Sequence, residues 1–428
     1  NGTATFNFSG AISGNGGMIK SGSSSLTLSG ANTFSGVTAV TQGTLVLAHS
    51  NALQNSTLDY HSGELGFGNL TSATLGGLKT SGSLPTLTLT NANGQPVALS
   101  VGNNNQSTTY NGIISGSGSL IKVGTGTLSL IPGIPSNWFS GDIRIDAGTI
   151  ALPSYYVTPN TVELNGGGFT FGTSPTIGGL GGLKGSGNLN LNDTMVQVGF
   201  NDQSTTYSGQ LSGSMSLTKL GTGSLTLSGA NQHTGDTCLN GGTLGLANAN
   251  ALQNSTLDYH SGELGFGNLT SATLGGLKTS GSLPTLTLTN ANGQPVALSV
   301  GNNNQSTTYS GTISGSGSLN KIGTGTLTLT KQCSYAGPTA ISEGTLALGT
   351  NKTLPISSTL FLDGGTLATN GYSQTLGSLT LTDDSCIDFG NGNSWLLLAD
   401  SHLALWSGDL TILNWSGSES GLGTDKVK

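Results

Sequence analysis

The sequence predicts an all-β protein, a right-handed parallel β-helix (β-solenoid) of about 20 rungs. Three observations predict this fold. Short apolar segments that alternate with polar residues recur at intervals of about 20 residues. Turns rich in Gly, Asn and Ser separate them, and Gly alone accounts for 71 of the 428 residues. Neither an i, i+3, i+4 pattern nor a helix-capping signal occurs along the chain.

The alternating segments assign the first rungs in order. Each has apolar residues on one face and polar residues on the other, as expected for a half-buried strand. The segments of the first hundred residues are LTL at 26–28, LVL at 45–47, LGF at 65–67, LTL at 87–89 and ALSV at 98–101. A string of antiparallel sandwiches is the alternative fold, but strands every 8–12 residues and stronger hairpin signals would suit it better. A thin Leu, Val and Ile core, with Trp138 the one tryptophan before residue 309, favours the solenoid.

The chain is an array. Residues 250–309 are identical to residues 51–110. Four similar openings carry Lys20, Lys122, Lys219 and Lys321, at spacings of 102, 97 and 102 residues. We therefore expect four modules of roughly 100 residues each. Their predicted bounds are 1–109, 110–206, 207–308 and 309–428, the fourth with a divergent, aromatic C-terminal cap or assembly element.

Composition excludes several classes of protein. Charged residues make up 7% of the chain and the net charge is −7, whereas nucleic-acid binding needs a basic face. No run of 18 apolar residues is present, so no membrane-spanning helix is predicted. The three cysteines, Cys238, Cys333 and Cys386, are too few and too scattered for a disulfide framework. They are predicted to pack among turns, with an intermolecular bridge as the alternative.

Stacked rungs explain the scarcity of charge. Equivalent residues of neighbouring rungs lie about 4.8 Å apart, where like charges repel and Asn or Thr ladders form hydrogen bonds. Residues 103–105, repeated at 302–304, are three consecutive asparagines and are candidates for such turns.

Several segments resemble the autotransporter-associated β-strand repeat. They include GSGSLIKVGTGTLSL at 116–130, SLTLSGANTFSGVTAVTQGTLVL at 25–47, LTSATLGGLKTSGSL at 70–84 and SLTLSGANQHTGDTCLNGGTLGL at 224–246. The likeness covers most of residues 8–350, with departures at 131–142 and 330–337. It implies a right-handed β-helix, export and a place at the cell exterior, and it implies no activity.

Two sets of residues are weighed as sites. Asp59, His61 and Glu64 recur as Asp258, His260 and Glu263; this arrangement suits a metal or an acid–base pair, but a decorated solvent face is the favoured interpretation. The four register lysines either form a polyanion-binding stripe or cover turns, and turn covering is favoured. We predict no catalytic residue, no cofactor and no metal site.

The two ends offer the remaining candidates. Phe6 and Phe8 lie in an alternating segment at the start, while Trp406 and Trp415 lie in similar segments near the end. They predict either an aromatic cap or an assembly surface, because an unprotected terminal rung can pair with another chain.

The predicted function is an extracellular structural rod, a surface fibre or adhesin-like stalk that is not an enzyme. Its predicted partners are further copies of itself, joined head to tail into filaments, or cell-surface glycans. Nucleic acid and a membrane span are not expected. The alternative is a carbohydrate-binding or polysaccharide-cleaving β-helix protein. The predicted location is the extracellular space or outer cell surface, reached by export.

Overall fold

A computed structural model describes residues 5–131, 139–172, 176–192, 194–402, 404, 406–416 and 426–427. Over these residues the backbone forms strands, turns and bends without a helix. Trp138 and most of the divergent turn at 131–142 lie outside the described ranges. The chain divides into two compact units, one formed by residues 1–189 and 193–209 and the other by residues 190–192 and 210–428.

The strands are short and follow one another closely along the chain. The strands that begin before residue 110 are β1 (Thr5–Phe8), β2 (Met18–Lys20), β3 (Ser25–Leu28), β4 (Thr38–Val40), β5 (Thr44–Leu47), β6 (Leu53–Tyr60), β7 (Glu64–Gly66), β8 (Ser72–Lys79), β9 (Thr86–Thr88), β10 (Ala98–Val101) and β11 (Thr108–Tyr110). The next are β12 (Ile113–Ser115), β13 (Ser119–Lys122), β14 (Thr127–Leu130), β15 (Ile143–Ile145), β16 (Thr149–Leu152), β17 (Val157–Leu164), β18 (Gly168–Phe171), β19 (Thr176–Gly185), β20 (Leu189–Asn190), β21 (Thr194–Val198), β22 (Thr205–Tyr207) and β23 (Leu211–Ser212).

The later strands continue the same pattern, and the longest of them is β27. They are β24 (Leu217–Lys219), β25 (Ser224–Leu227), β26 (Thr237–Leu246), β27 (Leu252–Gly265), β28 (Ser271–Lys278), β29 (Thr285–Thr287), β30 (Ala297–Val300), β31 (Thr307–Tyr309), β32 (Thr312–Ser314), β33 (Ser318–Lys321), β34 (Thr326–Leu329), β35 (Thr339–Ile341), β36 (Thr345–Leu348), β37 (Leu360–Asp363), β38 (Thr366–Ala368), β39 (Gln374–Leu376), β40 (Leu379–Asp383), β41 (Ser385–Asp388), β42 (Trp395–Leu398), β43 (Leu410–Leu413) and β44 (Lys426–Val427).

In the first unit, strands stack in parallel on strands about one rung further along the chain. Leu26 pairs with Leu45 and Leu45 with Leu65, which are steps of 19 and 20 residues. A second face runs through β2, β4, β6, β8, β10, β13, β15, β17 and β19. A third face stacks β11, β14, β16 and β18. Each rung therefore contains two or more short strands joined by turns.

The second unit repeats this arrangement. One face runs through β24, β26, β27, β28, β30, β33, β35, β37 and β40. A second face stacks β31, β34, β36, β38, β41 and β43, and a third joins β39, β42 and β44. The strands of this face follow the steps seen in the first unit, so both units are built on the same rung.

A narrow column of aliphatic side chains forms the core. In strands such as β10 and β14 every second residue is buried. Leu99, Leu120, Ile143, Val162 and Leu183 occupy consecutive registers and are fully buried. Because each residue stacks on an apolar residue of the next turn, a column of single side chains excludes water without a large core.

The turns use residues that tolerate a left-handed backbone. Asn105 and its counterpart Asn304 have φ values of 63° and 62°. Asn side chains also connect successive turns: Asn103 Nδ2 donates to Asn55 Oδ1 at 3.3 Å and Asn93 Nδ2 to Asn69 Oδ1 at 3.2 Å. The predicted asparagine turns and ladders are therefore confirmed.

The predicted β-solenoid is confirmed, with about 19 turns against the expected 20. The five apolar segments of the first hundred residues lie in or at the ends of β3, β5, β7, β9 and β10. The alternative of antiparallel sandwiches is wrong, because the strand-to-strand registers that the structure describes are parallel. The right-handed sense stays a prediction, based on the strong preference of parallel crossover connections for that hand.

Candidate functional site

The predicted aromatic end residues are exposed. Phe6 and Phe8 are 63% and 45% exposed on β1, the terminal strand of its sheet. Trp406 is 53% exposed and Trp415 42%. Trp406 forms an isolated parallel bridge with Leu381 and lines an apolar cavity of about 530 Å³. The structure places these residues at the first and last described turns but contains no partner for them, so their role as assembly ends stays a prediction.

Asp59 is not a solvent decoration, and the favoured interpretation of this residue is wrong. The residue is buried, and its carboxylate accepts hydrogen bonds from the backbone N–H of Ser81 at 3.0 Å and the hydroxyl of Ser81 at 2.9 Å. Lys79 Nζ lies 3.2 Å from Oδ2, and His61 Nε2 lies 3.3 Å from Oδ1. Burial opposes ionisation, but the hydrogen bonds from Ser81 and Lys79 hold the pKa of Asp59 below its usual value.

Glu64 belongs to a different contact. It is exposed on β7, where Thr44 Oγ1 donates to its Oε2 at 3.3 Å. Asp59 and His61 therefore meet, as their spacing predicted, while Glu64 pairs with a neighbouring turn. Among the described residues no group of three or more His, Cys, Asp and Glu side chains is placed to hold a metal ion.

The second copy of this cluster differs in its surroundings. Asp258 accepts the same two hydrogen bonds from Ser280, at 3.0 and 2.8 Å, and lies 3.1 Å from His260. Lys278, however, contacts a second carboxylate, that of Asp236. The residue that matches Asp236 in the first module is Val37. Identical sequences thus meet different neighbours.

The four register lysines are buried, so both a polyanion-binding stripe and an exposed turn cover are wrong. Lys20 is 4% exposed, Lys122 and Lys219 are 1% exposed and Lys321 is 0% exposed. Their ammonium groups donate to backbone carbonyls of the following turn. Lys321 Nζ donates to Ile322 O at 2.8 Å, Gly323 O at 2.6 Å and Glu343 O at 3.2 Å.

The lysine cradle recurs in the other modules. Lys20 Nζ donates to the carbonyls of Ser21, Gly22 and Gln42, and Lys122 Nζ to those of Val123 and Gly124. Burial lowers the pKa of Lys122 and lowers that of Lys321 to about 8. These lysines therefore hold a turn together from inside and are not available to a ligand.

An aromatic corner follows each lysine. The corner position is occupied by Phe34, Phe139, His233 and Tyr335, all of which are buried. His233 Nε2 lies 2.9 Å from Thr237 Oγ1, whereas its Nδ1 has no partner in the described structure. Burial lowers the pKa of His233 to about 4. The imidazole is therefore neutral at physiological pH.

Two polar grooves that sequence reasoning missed lie in the first unit. One, of about 460 Å³, is lined by Thr57, Lys79, Gln106, Ser107 and Thr108 among others. The other, of about 440 Å³, is lined by the corresponding Thr161, Lys184, Gln203, Ser204 and Thr205. A signal was available: GGLK occurs at 76–79, 181–184 and 275–278, and QSTTY at 106–110, 203–207 and 305–309.

The three cysteines are unpaired. Cys333 is buried, and Cys238 and Cys386 are partly buried. Burial raises the pKa of Cys333 to about 11, so its thiol stays protonated. The prediction that the cysteines pack among turns agrees with this placement. Within the described part of the chain no helix is long and apolar enough to cross a membrane.

Comparison with known proteins places the solenoid in a family. The passenger-associated-transport-repeat family matches residues 18–47, 120–152, 217–246 and 319–348. Each matched segment begins within three residues before its buried lysine and includes the aromatic corner. The chain is also similar to the adhesin BmaC autotransporter of Brucella suis biovar 1 (strain 1330), with 29% identity over 437 residues. That match covers 95% of this chain and 12% of the relative.

No solved structure matches the chain significantly. The repeat matches, the adhesin relative and the parallel stacking agree with one another, and they confirm the resemblance to autotransporter repeats. The chain is a passenger-associated-transport-repeat protein built as a parallel β-solenoid.

Proposed function

We propose that the chain is an exported, adhesin-like passenger segment that stands at the cell surface. The observation that carries this proposal is the coincidence of four transport repeats with continuous parallel stacking in each unit. The relative named an adhesin autotransporter supports it, although this chain corresponds to about an eighth of that protein. The proposed role is therefore that of a stalk or binding segment within a longer protein.

The proposed mechanism is mechanical. Backbone hydrogen bonds between successive turns form ladders that must break together before a turn can open. Buried lysines and tyrosines add side-chain bonds to backbone carbonyls within the turns, for example from Tyr110 to Pro85 at 3.1 Å. Such a segment is expected to resist proteases and shear outside the cell.

Adhesion is tested with the purified chain. Beads coated with it should bind cultured host cells in larger numbers than beads coated with albumin, because the proposed role requires a surface contact. Equal binding by the two kinds of bead contradicts the proposal. An antibody against the chain should also label intact cells that produce the whole protein, and labelling only after lysis contradicts a surface location.

A non-enzymatic role is part of the proposal. Asp59 and Asp258, the acids best placed for chemistry, are buried and saturated by hydrogen bonds from serines and by ion pairs. Polysaccharide cleavage is the competing function. Incubation with a polysaccharide panel should release no reducing ends or unsaturated products. Turnover that disappears in the Asp59→Ala and Asp258→Ala variants would establish the competing function.

Head-to-tail assembly is a further part of the proposal and rests on the exposed aromatic residues of the terminal turns. Phe6 and Phe8 lie on β1, and Trp406 and Trp415 flank β43, so both sets accompany the last described strand of a sheet. In electron micrographs, the wild-type chain should form particles longer than one chain. The Trp406→Ser, Trp415→Ser double variant should shorten them. Wild-type particles of single-chain length contradict assembly.

A further inference from the structure

The polar grooves bring two repeated sequence motifs together. The GGLK motif supplies a glycine and a lysine, and the QSTTY motif supplies a glutamine, a serine and threonines. The two motifs are separated by 18 to 26 residues in the chain, yet they line the same groove in the first unit. Neither motif is needed for the buried lysine cradle or the aromatic corner.

The floor of each groove is kept open by the absence of a side chain. A methyl group at Gly77 would lie 2.9 Å from Thr57 Oγ1 and 3.1 Å from Thr108 Cγ2, two residues that line the groove. At Gly182 the corresponding distances are 3.0 Å to Thr161 Oγ1 and 2.9 Å to Thr205 Cγ2. Neither glycine has a positive φ, so the backbone does not demand glycine there.

An asparagine orients one wall in the same way each time. Asn104 Nδ2 donates to Thr57 Oγ1 at 2.9 Å, and Asn201 Nδ2 donates to Thr161 Oγ1 at 3.0 Å. The same asparagines accept the backbone N–H of Gln106 and of Gln203, each at 3.1 Å. The exposed glutamine side chains are thereby carried at the groove edge on an ordered turn.

The second unit contains the same constellation. Asn303 Nδ2 donates to Thr256 Oγ1 at 2.8 Å and Asn303 Oδ1 accepts the N–H of Gln305 at 3.1 Å. A methyl group at Gly276 would lie 2.8 Å from Thr256 Oγ1 and 3.2 Å from Thr307 Cγ2. The geometry is thus present three times, once in each of the first three predicted modules.

Charge decides the chemistry of the occupant. Lys79 is paired with Asp59, Lys184 with Asp142 and Glu163, and Lys278 with Asp236 and Asp258. Each ammonium is balanced or outweighed by carboxylates, so the grooves do not attract an anion. Hydroxyls, amides, a carboxylate and an ammonium offer donors and acceptors together, which is what the hydroxyl groups of a neutral sugar require.

We propose that the three grooves are binding sites for neutral sugar residues of surface glycans. This inference rests on the proposed adhesin-like function and names its ligand class and site. The groove volumes lie in the usual range of about 300–1,000 Å³ for ligand sites. Lys79 and Lys184 are five turns apart in the first unit, about 24 Å at about 4.8 Å per turn. Several weak sites at that spacing add avidity on a repetitive glycan.

The test uses the whole purified chain on a microarray of neutral and acidic oligosaccharides. The variant Gln106→Trp, Gln203→Trp, Gln305→Trp places an indole at the edge of each groove, at positions that are exposed. The matched control, Ala92→Trp, Ala291→Trp, adds indoles at exposed turns outside the grooves. We expect the wild type and the control to retain neutral glycans and the groove variant to lose at least tenfold in signal. Retention of acidic glycans alone, no retention, or equal retention by the groove variant overturns the inference.

A second measurement does not depend on the variant folding. Hydrogen exchange of the wild type with a retained oligosaccharide should slow at residues 106–114, 203–212 and 305–313, and slowing elsewhere alone overturns the inference. These ranges extend beyond the duplicated sequence, so their peptides differ in mass. Cell-binding beads separate the two proposals. Equal cell binding by wild type and groove variant removes the groove inference but leaves the adhesin-like function. Glycan binding without cell binding removes the adhesin-like function alone.

Discussion

The ammonium group of Lys321 lies 2.6 Å from the carbonyl oxygen of Gly323, in the interior of the fourth transport repeat. It also donates to Ile322 and to Glu343, so one side chain satisfies carbonyls in two successive turns. A solenoid turn exposes carbonyls that no strand partner reaches, and a buried donor restores their hydrogen bonds.

The first prediction concerns this cradle. Lys321→Met keeps the volume but leaves three carbonyls without their donor, which should destabilise the repeat by about 1–3 kcal/mol. Hydrogen exchange should accelerate at 319–348, with less change at 120–152. Lys331→Met, which removes an exposed lysine in the same repeat, is the control and should have little effect. Unchanged exchange in Lys321→Met would mean that water replaces the ammonium.

The second prediction concerns acid stability. The pKa of His233 is lowered to about 4 by burial, whereas an unfolded histidine titrates near 6.5. Between these values the unfolded chain binds more protons, so stability falls as the pH falls from about 6.5 to about 4. The loss should approach about 3 kcal/mol at the acid end, at about 1.4 kcal/mol per pKa unit.

His233→Phe should remove this loss. The first repeat already carries Phe34 at the aromatic corner, with Thr38 Oγ1 bonded to Ser56 Oγ at 2.8 Å, and Thr237 keeps the same bond to Ser255. Urea unfolding at pH 7 and at pH 4.5 should show a smaller difference for the variant than for the wild type. An equal difference would assign the acid sensitivity to other groups.

Sequence alone reached the stacking but not the interior chemistry. The leucine pairs around Leu26 and Leu45 were predictable, because alternation and a 20-residue period specify which side chains stack. The long strands β6 and β8 were missed, since glycines and polar residues interrupt their alternation. Lys122 was misplaced because a lysine is ordinarily exposed, and only the carbonyl cradle explains its burial.

The candidate site was reached in part. The meeting of Asp59 with His61 followed from their spacing on one strand face. Its partners Lys79 and Ser81 come from the next turn, about 20 residues away, and no local pattern reveals them. The groove motifs were visible as repeats, but their convergence depends on which turn stacks on which.

The third prediction concerns tight approach between turns. A methyl group at Gly76 would lie 2.4 Å from the backbone carbonyl carbon of Asn55, although Gly76 has an ordinary negative φ. Gly76→Ala should therefore force the turns apart and cost about 1–3 kcal/mol. Gly16→Ala is the control, because nothing lies within 4 Å of its added methyl. Urea midpoints compare the two variants. Equal midpoints would mean that the backbone at Gly76 yields without cost.

The last prediction uses the duplicated sequence as its own control. Asp59→Asn removes the carboxylate that the structure pairs with Lys79, whereas after Asp258→Asn the ammonium of Lys278 keeps Asp236. Asp59→Asn should therefore destabilise the chain more than Asp258→Asn does. The expected difference is below about 1 kcal/mol, because Lys79 is partly exposed and solvent screens the pair.

The measurement must avoid the duplicated peptides, whose masses are identical in the two copies. Urea unfolding of each variant at low salt therefore serves as the readout. Adding Val37→Asp to Asp59→Asn should bring the loss down to that of Asp258→Asn, since it supplies the first copy with the carboxylate that Asp236 gives the second. If Val37→Asp does not narrow the gap, the two copies differ through their neighbouring turns and not through this ion pair.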